Sequence, residues 1–347
     1  MIKTSAYAFS VTSYAGHEEE ILRVRIRNRP AAQLREYLYW LYLAETTETP
    51  PIVFWMRDSE ERCVGMASLI FRPYMVDNKR CYFGVLGDIS INEEHRGEGL
   101  SAQLFQFMNS HIAQNNISIA FVMPNKAAAH ALQSSGWQTV GNLVPRVCVL
   151  RPVPKVKSRF KLGPLANLVS AGLRAATRMM ISRQIPGNIR LELVADFDSE
   201  FQEFWDGYPK SGMILHDRSV PSMRWRYLRQ PGKRSTIGKF YQDNRLVGFI
   251  VGSVSEENGM FLIGDFLVAD PGLISPCMAL FLQEALNRPE IITVRIVLIE
   301  ESSYARPLWK LSFLRRQPVT VFQIFHASGA AMTSPHSWFI TAGDKDA

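Results

Sequence analysis

Hydrophobic and polar positions along the first part of the chain follow two periods, one typical of strands and one typical of helices. Alternation with a period of two predicts strands over residues 6–12, 52–56, 64–71, 81–92, 118–123 and 138–150. Apolar residues at helical spacing predict helices over residues 18–28, 32–43, 100–115 and 126–134. The predicted order is β-α-α-β-β-β-α-β-α-β.

A glycine-rich turn joins the strand over 81–92 to the helix that begins near Leu100. Its sequence is His95-Arg96-Gly97-Glu98-Gly99-Leu100-Ser101. Glycine at two positions lets the backbone take a positive φ and approach a bulky phosphate. The helix N-terminus adds unpaired N–H groups and a positive dipole end. The turn therefore indicates an anion site, to which the arginine adds a positive charge.

Two segments together resemble the GNAT superfamily of acyl-CoA-dependent N-acetyltransferases. The run Asp88-Ile-Ser-Ile-Asn-Glu-Glu-His-Arg-Gly-Glu-Gly-Leu-Ser resembles its motif A, in which a strand precedes an R-x-x-G-x-G/A pyrophosphate loop. The run Asn125-Lys-Ala-Ala-Ala-His-Ala-Leu-Gln-Ser-Ser-Gly-Trp resembles the next block, N-x-x-A-x-x-x-Y-x-x-x-G-F. The resemblance covers about residues 81 to 140 and agrees with the predicted element order.

The resemblance implies acetyl-CoA, or a longer acyl-CoA, as co-substrate. The backbone of the strand and the motif asparagine would both bind the pantetheine arm. The N–H groups of the loop would bind the pyrophosphate. Ser101 departs from the usual Gly or Ala but is small. The implied cofactor-binding residues are Ile89, Ser90, Ile91, Arg96, Gly97, Glu98, Gly99, Leu100, Ser101, Asn125 and Ala128.

The general acid is the weakest part of the resemblance. Many members of the superfamily carry a tyrosine seven residues after the motif asparagine, and that position is Leu132, which cannot donate a proton. His130, Tyr82 or Tyr304 could take its place, or the thiolate could leave unassisted and be protonated by solvent.

Asp88 is the favoured general base, because it lies on the strand that positions the thioester. The neighbouring Glu93 and Glu94 are interpreted as a solvated turn. Asp88 and His130 are thus the two predicted catalytic residues.

The second half of the chain echoes the first in the same order. Trp40-x-Tyr42 matches Trp225-x-Tyr227, and we interpret these aromatic residues as core packing. Further echoes are Gly87-Asp88 with Gly264-Asp265, and Gly136-Trp137 with Ser312-Phe313. Where the first half has its glycine loop, the second has Asp270-Pro271-Gly272, which lacks the arginine and repels phosphate.

The predicted fold is therefore α/β (α+β), with two GNAT-like domains that each form a mixed, mostly antiparallel sheet flanked by helices. Residues 1–150 form the acyl-CoA domain, 151–189 a basic helical linker, and 190–347 a degenerate GNAT-like domain. Only the first domain is expected to bind coenzyme A. The length of 347 residues also favours two domains.

Positive charge is concentrated in the middle of the chain. The net charge is +7, and no Asp or Glu occurs between Gly99 and Leu191. Such a region attracts polyanions, of which coenzyme A, nucleic acid and an anionic membrane are three. The four cysteines and the histidines show no metal-ligand spacing, so we expect no metal and a reducing, cytoplasmic location.

The linker contains an amphipathic helix. Its apolar stripe is opposed by Arg174 and Arg178, and comprises Leu165, Leu168, Val169, Leu173, Ala176, Met179 and Met180. The favoured interpretation is a helix that packs this stripe on one domain. The alternative is peripheral membrane contact through residues 160–183. No segment is apolar for long enough to span a bilayer.

The leading hypothesis is an N-acyltransferase that moves an acyl group from acyl-CoA to a primary amine by direct transfer. Tandem chains with this block resemble bacterial GNAT proteins of surface-polysaccharide or natural-product pathways, which favours an amino sugar; an amino acid, polyamine or peptide amine remains open. One alternative is a catalytically inactive acyl-CoA sensor or interaction protein. Another is an aminoacyl-tRNA-dependent transferase, although such relatives usually lack the Arg-Gly-x-Gly loop, so we do not expect nucleic acid as a partner. The oligomeric state is left open.

Overall fold

The computed structural model describes residues 2–4, 7–28, 35–43, 48–151, 165–326 and 332–345. In the first half the strands are β1 (Ile2–Thr4), β2 (Tyr7–Ser13), β3 (Ile52–Arg57), β4 (Cys63–Val76), β5 (Lys79–Ile91), β6 (Ile119–Val122) and β7 (Gln138–Val149). Its helices are α1 (Glu18–Asn28), α2 (Arg35–Tyr42), α3 (Leu100–Gln114) and α4 (Lys126–Ser134). The predicted element order is confirmed, with β1 added at the start.

Helix α5 (Leu165–Ser182) leads into the second half. There the strands are β8 (Ile189–Val194), β9 (Ile214–His216), β10 (Thr236–Gln242), β11 (Arg245–Ser255), β12 (Met260–Val268), β13 (Thr293–Ile299), β14 (Leu314–Arg315), β15 (Thr320–His326) and β16 (Trp338–Phe339). The helices are α6 (Ser199–Gly207), α7 (Val220–Tyr227), α8 (Ile274–Asn287) and α9 (Ala305–Trp309).

The strands of both halves form one continuous sheet. Its order is β1-β2-β3-β4-β5-β6-β15-β7-β13-β12-β11-β10-β8. Most neighbours are antiparallel, while β5 with β6, β12 with β13 and β9 with β16 are parallel. The predicted mixed, mostly antiparallel sheet flanked by helices is confirmed.

The two halves exchange strands at the centre of the sheet. Strand β15, from the end of the second half, lies between β6 and β7 of the first half. Strand β7 in turn pairs with β13 and β14 of the second half. Because each half completes the hydrogen bonding of the other, neither half has a free sheet edge at this junction.

A nearly symmetric tryptophan pair joins the halves on the helical side. Trp40 and Trp225 stack with ring centroids 4.9 Å apart and planes 13° apart. The Trp40 indole N–H donates to the Trp225 carbonyl at 2.8 Å, and the Trp225 indole N–H donates to the Trp40 carbonyl at 2.9 Å. This reciprocity is typical of a two-fold contact and confirms the sequence echo. Tyr42 and Tyr227 are buried, as the core-packing interpretation predicts.

Helix α5 is joined to the second half mainly at its C-terminal end. Ile181 is buried in the core of that half and Met180 packs against the same core. Leu173 and Met179, however, are 47% and 58% exposed. The prediction that the apolar stripe packs on one domain is therefore wrong for Leu173 and Met179, which the described residues cover only in part. The side chains of Leu165, Leu168 and Val169 lie outside the described part of the structure.

Candidate functional site

A cleft opens where β5 and β6 separate. The two strands pair at Gly84 with Ala120 and at Val85 with Phe121, and beyond Leu86 no strand of the described residues pairs with that side of β5. The resulting cleft has a volume of about 760 Å³. It is bounded by the end of β5, the loop before α3, the loop after β6 and the start of α4. The backbone edge of β5 near Ile89 therefore faces the cleft, where it can hydrogen-bond to a ligand.

The glycine loop forms the entrance to α3 with the backbone that the sequence predicts. Gly97 and Gly99 have φ of +91° and +73°, and Gly99 is the N-cap of α3. Among the described residues, the N–H groups from Gly97 to Ser101 have no backbone acceptor, since the first such bond runs from Ala102 to the Gly99 carbonyl. These N–H groups and the helix dipole form an anion site.

Arg96 is folded back onto the end of β5. Its Nε donates to the Ile91 carbonyl at 3.0 Å, and one terminal nitrogen donates to the Asn28 side chain at 3.2 Å. The guanidinium is exposed and borders the cleft, so it places a positive charge beside the loop N–H groups.

Asp88 lies at a bulge in β5. The register with β4 shifts between Met66 and Ser68, and Asp88 has a φ of +49°. Its carboxylate is buried, forms an ion pair with the buried Arg25, and accepts the Tyr42 hydroxyl at 2.5 Å. Burial first, and then the Asp88 charge, raise the pKa of Tyr42 well above its usual range, so this hydroxyl remains a donor. Helices α1 and α2 are thus tied to the strand that borders the cleft.

The motif asparagine, Asn125, precedes helix α4 as its N-cap and lies at the wall of the cleft. The Asn125 side chain caps the helix by accepting the Ala128 N–H at 2.9 Å, and both residues border the cleft. Leu132 is fully buried in the core between α3, α4 and the sheet. His130 is exposed on α4 and is not among the cleft residues. Tyr304 is buried in the second half, where its hydroxyl accepts the Val268 N–H.

The structure places most of the predicted cofactor-binding residues around one cleft. The residues that border it are Ile89, Ser90, Ile91, Arg96, Gly97, Leu100, Ser101, Asn125 and Ala128. Glu98 and Gly99 lie in the same loop, and the Tyr7 hydroxyl of β2 donates to Glu98 at 2.9 Å. Glu93 and Glu94 are exposed, and Glu94 is ion-paired with Arg27.

Two cleft residues have no local signal in the sequence. Asn28 comes from the end of α1, and Lys345 from the C-terminal segment of the chain. Both reach the cleft only through tertiary folding. His95, by contrast, belongs to the glycine loop and could have been included from its position alone.

In the second half, the gap that corresponds to the cleft is filled by the chain itself. Strands β12 and β13 pair only as far as Ile263 with Ile296. Beyond that point Thr341 bridges to Leu298 of β13, and Gly343 lies so close to β12 that an added Cβ would be 2.7 Å from the Gly264 carbonyl oxygen. We call residues 338–345 the C-terminal plug.

Buried charges hold the C-terminal plug in place. The Asp344 carboxylate is 3.0 Å from Arg226 Nη1 and 3.5 Å from Arg218 Nη2, and it accepts the Thr341 N–H at 2.7 Å. Arg218 also pairs with Asp265 at 2.8 Å. Burial raises the pKa of Asp265 to about 6, against the opposing effect of the Arg218 charge.

The loop of the second half offers no comparable anion site. The Asp270 side chain accepts the Gly272 N–H at 2.6 Å, so a carboxylate already occupies the turn before α8. Within the described residues there is no group of three or more His, Cys, Asp or Glu side chains that could hold a metal ion. In the same part of the chain, no helix is long and apolar enough to cross a bilayer.

His216 makes the stability of this region depend on pH. Its ring is buried, its Nδ1 donates to the Asp217 carbonyl at 2.7 Å, and burial followed by the nearby arginine charges lowers its pKa well below the usual range. Below about pH 6.5 the unfolded chain binds a proton here and the folded chain does not. Stability is therefore lost as the pH falls below that value, by up to about 1.4 kcal/mol per pH unit for this group.

His216→Gln should remove this dependence. Between pH 7 and pH 5, the free energy of unfolding from urea titrations should fall less steeply for the variant than for the wild type. The raised pKa of Asp265 changes the stability with pH in the opposite direction. Because both proteins contain Asp265, this contribution cancels when the two curves are compared. Parallel curves would show that His216 is protonated in the folded chain as readily as in the unfolded one.

Comparisons with known proteins agree with this architecture. The sequence model of the acetyltransferase (GNAT) domain matches residues 1–140. No curated protein matches the chain by sequence. Many solved structures share its fold. One is an Enterococcus faecalis protein described as a probable N-acyltransferase, with 11% identity, a TM-score of 0.64, and coverage of 92% of this chain and 73% of that chain.

Two further structures resemble the chain over almost its whole length. A tandem GNAT protein from the clavulanic acid biosynthesis pathway has 13% identity, a TM-score of 0.54, and coverage of 94% of this chain and 100% of that chain. A GCN5-related glucosamine N-acetyltransferase region of a fungal multi-domain β-N-acetylglucosaminidase has 11% identity and a TM-score of 0.56. The match covers 93% of this chain and 38% of that chain. At these identities the likeness shows the fold alone. The sequence match identifies residues 1–140 as an acetyltransferase (GNAT) domain, and the chain as a whole shares its fold with a tandem GNAT protein.

Proposed function

We propose that this protein is an N-acyltransferase that moves an acetyl or longer acyl group from acyl-CoA to a primary amine by direct transfer. The observation that carries the proposal is the row of N–H groups from Gly97 to Ser101, which have no backbone acceptor among the described residues. This row opens into the same cleft as the edge of β5. The loop can hold the pyrophosphate, and the edge of β5 can hydrogen-bond to the pantetheine arm. The pyrophosphate and the pantetheine arm of acyl-CoA thus each have a matching surface in one cleft.

The second half is proposed to shape the acceptor site rather than to bind coenzyme A. Its corresponding gap is filled by the C-terminal plug and its loop by the Asp270 carboxylate. The plug also carries Lys345 to the cleft of the first half. The division into residues 1–150, 151–189 and 190–347 is part of this proposal, as is a reducing, cytoplasmic location, which four unpaired cysteine thiols suit.

An amino sugar is the proposed acceptor class. The similarity to the fungal glucosamine N-acetyltransferase region supports it, and the tandem architecture is shared with a natural-product pathway protein. The test is thiol release from acetyl-CoA in the presence of amino sugars, amino acids, polyamines and peptide amines. Release with amino sugars at least about tenfold faster than with the other amines is expected. Equal release with all classes would contradict an amino-sugar preference.

Asp88 is the proposed general base, because it borders the cleft whereas His130 does not. The contacts with Arg25 and Tyr42 fix the position of the carboxylate beside the cleft. Asp88→Asn should lower kcat by about 100-fold or more, the usual range for loss of a general base, with little change in the affinity for acyl-CoA.

His130→Gln is the matched control, and it should leave kcat and coenzyme A affinity unchanged because the ring is exposed outside the cleft. Steady-state kinetics with each variant, after circular dichroism confirms folding, separates the two residues. Full activity of Asp88→Asn would remove Asp88 as the base. Loss of activity in His130→Gln would assign the proton transfer to His130 instead.

One observation favours a second function, binding of acyl-CoA without chemistry. The tyrosine position of the family motif is Leu132, and this side chain is fully buried in the core. A sensor would bind acyl-CoA through the same cleft but release no thiol with any amine of the panel. Turnover with at least one amine class excludes it.

A further inference from the structure

A basic and apolar surface lies on the second half, far in sequence from the glycine loop. Helix α5 exposes Leu173 and Met179, at 47% and 58% of their full accessible area. Both belong to the apolar stripe of the helix, and Arg174 and Arg178 are exposed on the same helix. The described residues cover these two side chains only in part, although an amphipathic helix normally buries its apolar stripe.

A second exposed group adjoins the helix. Trp309 at the end of α9 is 70% exposed, and it is followed by the exposed Lys310. Ser312 follows Trp309 by three residues, and its hydroxyl lies 3.2 Å from the sulfur of Met180. This contact connects the end of α9 to α5. Two elements that are distant in the chain thus expose both large apolar side chains and positive charges.

The charges of this surface have few negative neighbours. No acidic residue occurs from Gly99 to Leu191, a stretch that includes all of α5. Helix α8, which packs against α5, carries one acidic residue, Glu284. Glu290, which follows this helix, is ion-paired with Arg288. The positive field of α5 is therefore not neutralised by its own sequence, and it attracts an extended anionic partner.

We propose that Leu173, Arg174, Arg178, Met179, Trp309 and Lys310 dock onto the surface of an anionic lipid bilayer. Apolar side chains on an amphipathic helix enter the boundary between headgroups and acyl chains, and tryptophan is favoured at this depth. The arginines and the lysine are attracted to the anionic headgroups. A second copy of the chain fits less well, because pairing of two α5 helices would bring like charges together.

The test is co-sedimentation of the full chain with lipid vesicles. Vesicles of phosphatidylcholine alone are compared with vesicles of equal parts phosphatidylcholine and phosphatidylglycerol. Binding is expected to the anionic vesicles, and added salt should weaken it. Arg174→Ala with Arg178→Ala should weaken the binding on the order of twentyfold, at about fivefold per charge. Leu173→Ser with Met179→Ser should weaken it by at least about tenfold.

Leu228→Ser is the matched control, because Leu228 is an exposed leucine, at 37%, on the end of α7 outside this surface. It should bind vesicles like the wild type, and circular dichroism should show all variants folded. Equal binding to neutral and anionic vesicles, or unchanged binding of the α5 variants, would overturn the proposal. Absence of binding to the anionic vesicles would also overturn it, and RNA binding, or a dimer that Leu173→Ser with Met179→Ser dissociates, would then identify the partner.

Discussion

Gly99→Asp is expected to weaken coenzyme A binding by about 100-fold or more while the chain stays folded. The aspartate would place a negative charge among the N–H groups that face the proposed pyrophosphate site. When two like charges near a protein surface are separated by about 4 Å, their repulsion is large enough to account for this loss of affinity. The φ of Gly99 is +73°, and a Cβ at this position would meet no atom within 4 Å, so the cost to the fold is limited to backbone strain.

Gly99→Asn is the matched control for this prediction. Asparagine has nearly the same size as aspartate, tolerates a positive φ and carries no charge. Calorimetric titration with coenzyme A should therefore show most of the affinity retained in Gly99→Asn and lost in Gly99→Asp. Equal affinities in the two variants would mean that no phosphate lies near this residue, and the cleft assignment would fail.

Asp344→Ala is expected to lower the free energy of unfolding by about 3–5 kcal/mol, the usual result when one partner of a buried ion pair is removed. Asp344 is 1% exposed and faces Arg226 and Arg218. Without its carboxylate, both guanidinium groups lose a buried counter-charge, and Thr341 loses its capping partner. The C-terminal plug should then detach from the gap between β12 and β13.

Asp206→Ala is the control, because Asp206 is exposed and should change stability by no more than about 0.5 kcal/mol. Urea unfolding of both variants and the wild type measures the difference. A loss below about 1 kcal/mol for Asp344→Ala would show that the plug contributes little to the fold. Its proposed role in carrying Lys345 to the cleft would then be without support.

Local patterns were sufficient to predict much of the first half. The glycine loop, helix α3 and helix α4 depend on residues that are close in sequence, so spacing and capping residues identify them. The helix predicted over residues 126–134 has these bounds in the structure, with Asn125 as its cap. The Trp40 and Trp225 echo also predicted packing correctly, because the same side chains repeat at the same place in each half and their rings stack on each other.

Other features depend on contacts between distant residues, which no local pattern encodes. The exchange of β7 and β15 joins strands of opposite halves, and the C-terminal plug reaches a gap in β12 and β13. The partners of Asp88 come from helices α1 and α2. For helix α5, amphipathic spacing indicated an apolar stripe but not what covers it, so the predicted packing of Leu173 and Met179 was wrong.

The central claim is that acyl-CoA occupies the cleft of the first half and not the corresponding gap of the second. Hydrogen exchange of the full chain, with and without coenzyme A, tests it at the level of single segments. Coenzyme A is predicted to protect the amides of Gly97 to Ser101 and of β5 near Ile89, and to leave Asp270 to Leu273 unchanged. Protection at Asp270 to Leu273, or none at Gly97 to Ser101, would contradict the claim.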